Sequence, residues 1–82
     1  MQLCDLAKHS KINVGVKQST KAIATDRASV LFVANDADQN IIKKVIDLAV
    51  ERSIEIVYVD TMKELGRACN IDVGAATAVI EK

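Results

Sequence analysis

The chain has 82 residues, of which 50% are hydrophobic and 27% charged. This is the size and composition of one folded domain, residues 1–82, and argues against a disordered chain. Its apolar runs are far shorter than the roughly 20 residues of a membrane-spanning helix, and two cysteines with one histidine exclude the usual four-ligand zinc sites.

The net charge is zero, but the two parts of the chain differ in sign. Residues 1–30 carry +3 (five basic and two acidic residues), and residues 31–82 carry −3 (six basic and nine acidic residues). This asymmetry predicts a basic face for an acidic partner, with chance as the alternative.

The spacing of apolar residues predicts alternating helices and strands along the chain. The helix over 39–52 has the clearest period, with apolar residues three and four positions apart. Strand–helix alternation with short connections favours an α/β fold, with a mixed sheet covered by helices on both faces. The predicted elements are, in chain order, helix 2–8, strand 12–14, helix 16–25, strand 30–34, helix 39–52, strand 54–59, helix 62–69 and strand 75–80.

Particular side chains predict where helices begin and end. Thr61 and Glu64 have the three-residue spacing of a capping box. Asn70 follows the same helix and suits the left-handed conformation that terminates helices. Asp36 and Asp38 precede the helix over 39–52, where capping is a better interpretation than a catalytic carboxylate pair.

Residues 15–21 combine a glycine, two lysines and a glutamine at the predicted start of a helix. Free backbone N–H groups and the positive dipole end make such a start an anion site. Lys17 and Lys21 are four residues apart and share a face, and Gln18 can donate to and accept from base edges. The pattern is typical of a weakly specific nucleic-acid site, or of an ordinary solvated helix face.

Two apolar residues flank an acid in the predicted loop 70–74. Loops usually expose polar residues, so Ile71 and Val73 either contact a partner or fold back onto the core. The sequence leaves both interpretations open.

Signatures of enzymes are weak. The phosphate-binding and dinucleotide-binding glycine patterns and the HExxH zinc pattern do not occur. We therefore predict no catalytic residues, no metal and no cofactor. A small enzyme using Cys69 or His9 ranks last among the hypotheses, because neither has a visible base partner.

Three segments together resemble a known family. Residues 15–22 are similar to the helix-opening motif of the kink-turn RNA-binding ribosomal-protein family, the L7Ae and L30e relatives, and residues 33–38 are similar to its second signature. Residues 64–76 resemble its third and most specific signature. The resemblance covers about residues 8–80, and the short length and the Lys17–Gln18 pair are most like the short bacterial members, the YbxF type.

The resemblance implies a three-layer α/β/α sandwich with a mixed central sheet of about four strands, which binds kink-turn RNA. In that family the helix-opening motif faces tandem sheared G·A pairs, and the loop after the last helix packs against an extruded nucleotide. Carried over position by position, the implied RNA-binding residues are Gly15, Lys17, Gln18, Lys21, Asp38, Ile42, Lys63, Ile71, Asp72 and Val73.

Several of these positions depart from the family pattern. Lys17 and Gln18 stand where many members have Asn and Glu, which changes the groups that read guanine edges. Met62 stands where some members carry a lysine that contacts phosphate, and the neighbouring Lys63 is expected to replace it.

The sequence thus predicts a non-catalytic, cytoplasmic RNA-binding protein specific for kink-turns. The expected partners are structured RNA, either ribosomal RNA or an mRNA leader, with the ribosome as a candidate and no membrane; the expected state is a monomer. The alternative from another class is a protein-interaction module that uses the Ile71–Val73 loop.

Overall fold

A computed structural model describes residues 12–81 of the chain. Within that range four strands and three helices follow one another, and the predicted helix over 2–8 lies outside the described residues. The elements are β1 (Ile12–Val14), α1 (Val16–Ala24), β2 (Ala28–Ala34), α2 (Gln39–Glu51), β3 (Glu55–Val59), α3 (Met62–Ala68) and β4 (Thr77–Glu81).

The four strands form one mixed sheet in the order β1-β4-β2-β3. β4 is antiparallel to both of its neighbours, with Val14 opposite Ala78 on one side and Val33 opposite Thr77 on the other. β2 and β3 are parallel, and Ala34 lies opposite Val59. A parallel pair needs a crossover connection, which α2 supplies.

Helices cover both faces of the sheet over its central strands. In β2 every residue except Ser29 is buried. Because successive side chains of a strand point to opposite faces, this pattern requires cover on both sides. α1 packs against α2 and β4, and α3 packs against β2, β3 and β4. The predicted three-layer α/β/α sandwich with a mixed four-strand sheet is confirmed.

The core is aliphatic, as a chain with one Phe and one Tyr requires. Phe32 is fully buried, whereas Tyr58 on β3 is 58% exposed. The remaining core consists of Ala, Val, Ile and Leu side chains from the sheet and the inner helix faces.

Helix boundaries follow the predicted caps. The Thr61 hydroxyl accepts the Glu64 backbone N–H at 3.1 Å, and Asp38 accepts the Asn40 backbone N–H at 2.9 Å. Asn70 has a φ of 62° directly after α3, which confirms the predicted left-handed residue. Among residues 12–81, no helix is long and apolar enough to cross a bilayer.

Two strands, predicted over 30–34 and 75–80, start two residues away from the predicted position. β2 begins two residues earlier because Ala28 pairs with Glu81 across an irregularity in the register. β4 begins two residues later because Ala75 donates its backbone N–H to the carbonyl of Met62, at 3.0 Å, instead of joining the sheet. Both differences arise from contacts distant in sequence.

Candidate functional site

One end of the sheet gathers the segments that the sequence singled out. β1, β2 and β3 finish there and β4 begins there, as the strand registers require. We call this region the loop end: Gly15, residues 35–38, residues 60–61 and residues 70–76. All three described helices start at it, so their unpaired N–H groups and positive dipole ends face the same side of the molecule.

The start of α1 is fixed to the sheet through Gly15. Its φ of 100° lies in a region that glycine adopts readily and other residues do not. Its N–H donates to the Thr77 carbonyl at 2.8 Å. A Cβ at Gly15 would meet no atom within 4 Å. The backbone there is therefore open to close approach by a ligand.

The polar side chains of α1 lie beside that open backbone. Lys17, Gln18 and Lys21 are all exposed, and the first turn of α1 contains no acidic residue. The helix dipole and the Lys17 ammonium therefore act in the same direction and favour an anion at the start of α1, whereas Lys21 lies in the last turn of the helix.

A buried hydroxyl pair lies under this surface. The Thr77 hydroxyl donates to the Ser19 Oγ at 2.9 Å, and both residues have no exposed surface. The contact joins α1 to the first residue of β4. In the described part of the chain every buried side-chain N or O atom has a hydrogen-bond partner.

The loop 70–75 packs closely on α3. The Ile71 N–H donates to the Gly66 carbonyl at 3.1 Å, and the Ala75 N–H to the Met62 carbonyl at 3.0 Å. A Cβ built on Gly66 would lie 2.1 Å from the Val73 carbonyl oxygen. Only glycine permits this approach of loop and helix.

A groove of about 260 Å³ runs between this loop and α3. Lys63 and Arg67 are exposed and, being four residues apart, share one face of α3. Val73 is 70% exposed, whereas Ile71 is half-buried and packs against the core. Ile71 therefore folds back onto the core, whereas Val73 is accessible to a partner. The groove is lined by Lys63, Arg67, Ile71, Asp72, Val73 and Gly74.

Residues 35–38 connect β2 to α2 and carry two carboxylates with separate structural partners. Asp38 caps its own helix. Asp36 accepts the Met62 backbone N–H at 2.7 Å and so caps the start of α3. The prediction that these carboxylates cap the helix they precede is confirmed for Asp38, whereas Asp36 caps a different helix, α3. Ile42 is 2% exposed and belongs to the core, while its neighbour Ile41 is 45% exposed.

Of the two residues that the enzyme hypothesis uses, Cys69 lies among the described residues. Burial raises the pKa of the Cys69 thiol above its ordinary value of 9.0, so it is a poor nucleophile. Among residues 12–81 no cluster of three His, Cys, Asp or Glu could hold a metal ion. His9 lies outside the described residues.

A family model described as "Ribosomal protein L7Ae/L30e/S12e/Gadd45 family" matches residues 2–82. The chain belongs to this family. It is 51% identical over 65 residues, 79% of either chain, to an RNA-binding protein of Caldanaerobacter subterraneus subsp. tengcongensis. It is 46% identical over 70 residues, 85% of either chain, to the RNA-binding protein YbxF of Geobacillus stearothermophilus.

Two more distant relatives of this L7Ae-family chain extend the comparison. The large ribosomal subunit protein eL8 of Halobacterium salinarum is 39% identical over 70 residues, which are 84% of this chain and 58% of that protein. The solved structure of a 15.5 kD RNA-binding protein from Giardia lamblia superposes with a TM-score of 0.86 at 26% identity, over 98% of this chain and 68% of that one.

The structure also brings in residues that sequence reasoning missed. Arg67 and Gly74 line the groove beside the predicted Lys63 and Val73. Arg67 carries a signal, since it lies four residues after Lys63 on a predicted helix. The Ser19–Thr77 pair has no signal in the sequence, because the two residues are 58 positions apart in the chain.

Proposed function

We propose that this L7Ae-family chain is a non-catalytic RNA-binding protein that recognises kink-turns, through the start of α1 and the loop 70–74. The RNA would be ribosomal RNA or a structured mRNA leader, bound by a monomer. The names of the relatives support RNA as the partner, and the name of the archaeal relative supports the ribosome as a location.

The observation that carries the proposal is the close junction of α1 with the strand that follows the loop. The Gly15 N–H donates to the Thr77 carbonyl at 2.8 Å, so the start of α1 and the end of the loop meet at the same end of the sheet. A single folded RNA can contact both. Two separate weak contacts thereby combine into one binding site without additional contact area.

The chemistry of the α1 residues suits base edges at tandem sheared G·A pairs. The Lys17 ammonium can donate to guanine O6 and N7, and the Gln18 amide can both donate and accept. Lys21, one turn further along α1, would bind phosphate as a point charge. Gly15 would allow the RNA to approach the backbone, because no side chain covers it.

The groove suits an unstacked nucleotide. Sequence-specific RNA recognition usually targets bases that have left the stack. Val73 offers an exposed apolar contact for a base, and Lys63 and Arg67 offer cations for the phosphates on either side. Asp72 can accept a hydrogen bond from a base amino group.

The test is fluorescence anisotropy with a labelled kink-turn RNA, beside a control RNA in which the G·A pairs are changed to Watson–Crick pairs. We expect tight binding to the first and weak binding to the second. Lys21→Ala should weaken the first and lower its salt dependence by about one phosphate contact.

Arg52→Ala is the matched protein control. Arg52 is exposed and follows α2 at the end of the sheet opposite to the loop end. The Arg52→Ala substitution removes one positive charge, as Lys21→Ala does. The RNA-binding curve of this variant should nevertheless coincide with that of the wild type. Equal weak binding to both RNAs would overturn the proposal.

The exposed Val73 also favours a second candidate, a protein-interaction module that uses the Ile71–Val73 loop. In that case Lys21→Ala would leave partner binding unchanged, whereas Val73→Ser would abolish it. The two candidates therefore differ in their response to Lys21.

A further inference from the structure

We propose that the buried Ser19–Thr77 hydroxyl pair is a positioning device, which holds the start of α1 in register with the loop 70–75 for RNA binding. The inference rests on the proposed function and adds two residues that do not touch the RNA.

The pair lies where α1 meets β4, the strand that follows the loop. Ser19 directly follows Gln18, and its N–H closes the first turn of α1 on the Gly15 carbonyl at 2.9 Å. Thr77 is the first residue of β4. Its carbonyl accepts from Gly15 at 2.8 Å, and its hydroxyl donates to Ser19 at 2.9 Å. Thr77 therefore holds α1 at two points, one turn apart.

The residues that precede Thr77 in the chain connect it to the loop 70–75. Ala75, two residues earlier, donates to the Met62 carbonyl at 3.0 Å, and Ala76 accepts the Ala34 N–H at 2.9 Å. The backbone from Ala75 to Thr77 is thus fixed to α3, to β2 and to α1.

Packing alone does not require hydroxyl groups at these two positions. Both residues have no exposed surface, and they are the two buried polar residues of the described core. Alanine and valine would fill nearly the same space without desolvating polar groups. A hydrogen bond adds what apolar packing lacks, which is one preferred distance and orientation.

The experiment uses three variants of the full chain. Thr77→Val removes the hydroxyl and keeps the shape, Thr77→Ser keeps the hydroxyl, and the double variant Ser19→Ala/Thr77→Val removes both partners. Thr77→Val should weaken kink-turn binding about fivefold to tenfold, close to 1–1.4 kcal/mol, and Thr77→Ser should restore affinity towards that of the wild type.

The double variant separates positioning from simple stability. A lone buried hydroxyl is costly, whereas removal of both partners can be nearly neutral. We expect the double variant to recover the urea midpoint lost by Thr77→Val but not its RNA affinity. If affinity recovers together with stability, the pair is merely structural and the inference is wrong.

Hydrogen exchange of the Gly15 amide gives a readout without RNA. This N–H bonds to the Thr77 carbonyl, so its protection reports whether the start of α1 is docked. Protection should fall in Thr77→Val, while the amides of β2 stay protected. If the wild type fails to discriminate the two RNAs, the proposed function fails, and unchanged Gly15 protection in Thr77→Val would separately overturn the positioning role.

Discussion

Replacing Gly66 with alanine tests the contact that holds the loop 70–75 against α3. On helix propensity alone the change should stabilise α3 by about 1 kcal/mol. The structure predicts the opposite sign. The added Cβ would lie 2.1 Å from the Val73 carbonyl oxygen, and that oxygen belongs to the backbone, not to a flexible side chain.

The size of the effect follows from the distances. An ordinary contact starts at 3.4 Å, so the Val73 carbonyl must retreat by about 1.3 Å from its present 2.1 Å. Overpacking of this kind costs about 1–3 kcal/mol. The Ile71–Gly66 hydrogen bond, worth about 1 kcal/mol, is weakened by the same movement. After the gain in propensity, we expect the free energy of unfolding to fall by about 1–3 kcal/mol.

Urea unfolding followed by far-UV circular dichroism measures this loss, because the chain has no tryptophan. We also expect kink-turn RNA to bind about tenfold more weakly, since Val73 and the groove move with the loop. Gly74→Ala is the matched control. Its Cβ would lie 3.1 Å from the Met62 Cβ, a milder contact on the same interface, so the loss should stay below about 1 kcal/mol. A stabilised Gly66→Ala variant with wild-type RNA affinity would refute this account of the loop.

Further predictions concern three single positions. Gly15→Ala should lower the free energy of unfolding by about 1–3 kcal/mol through its φ of 100° alone; an unchanged melting temperature would contradict the backbone strain. Thr61→Ala should cost about 0.5–2 kcal/mol in urea unfolding while Thr61→Ser costs little, because only the hydroxyl caps Glu64; equal losses would rule out the cap. In a Cys4→Ser background, Cys69 should react with iodoacetamide at pH 8 more slowly than a free thiol, because its raised pKa leaves less thiolate. For the same reason stability should fall as the pH rises above about 9, where the unfolded thiol ionises more readily than the folded one.

The fold could be predicted well because its signals are local. The apolar period of α2, the capping residues Thr61 and Asp38, and the left-handed Asn70 all act within one or two turns of the chain. The strand ends were less predictable. The start of β4 depends on a hydrogen bond from Ala75 to α3, and no local pattern records it.

The start of α1 was easier to predict as part of the candidate site than the groove beside α3. The glycine, lysines and glutamine at the start of α1 form a compact segment with a recognisable chemistry. The groove is formed between α3 and the loop after it, and Gly74 was missed because it has no side chain that would mark it as a binding residue. Ile42 was expected near the RNA from the resemblance, yet its side chain is 2% exposed. Helical periodicity places it on the same inner face as Val45 and Ala49, which are also buried.

The position of β4 in the sheet has a consequence for the order of folding during synthesis. The last strand in sequence lies between β1 and β2, and β1 pairs with β4. While the ribosome is still adding residues before Thr77, the first strand has no neighbour in the sheet, and the Gly15 N–H lacks its acceptor. Only the parallel pair of β2 and β3 with α2 can form earlier. The start of α1 therefore docks on the sheet only after Thr77–Glu81 has left the exit tunnel, so the surface around Gly15 forms later than the unit of β2, α2 and β3.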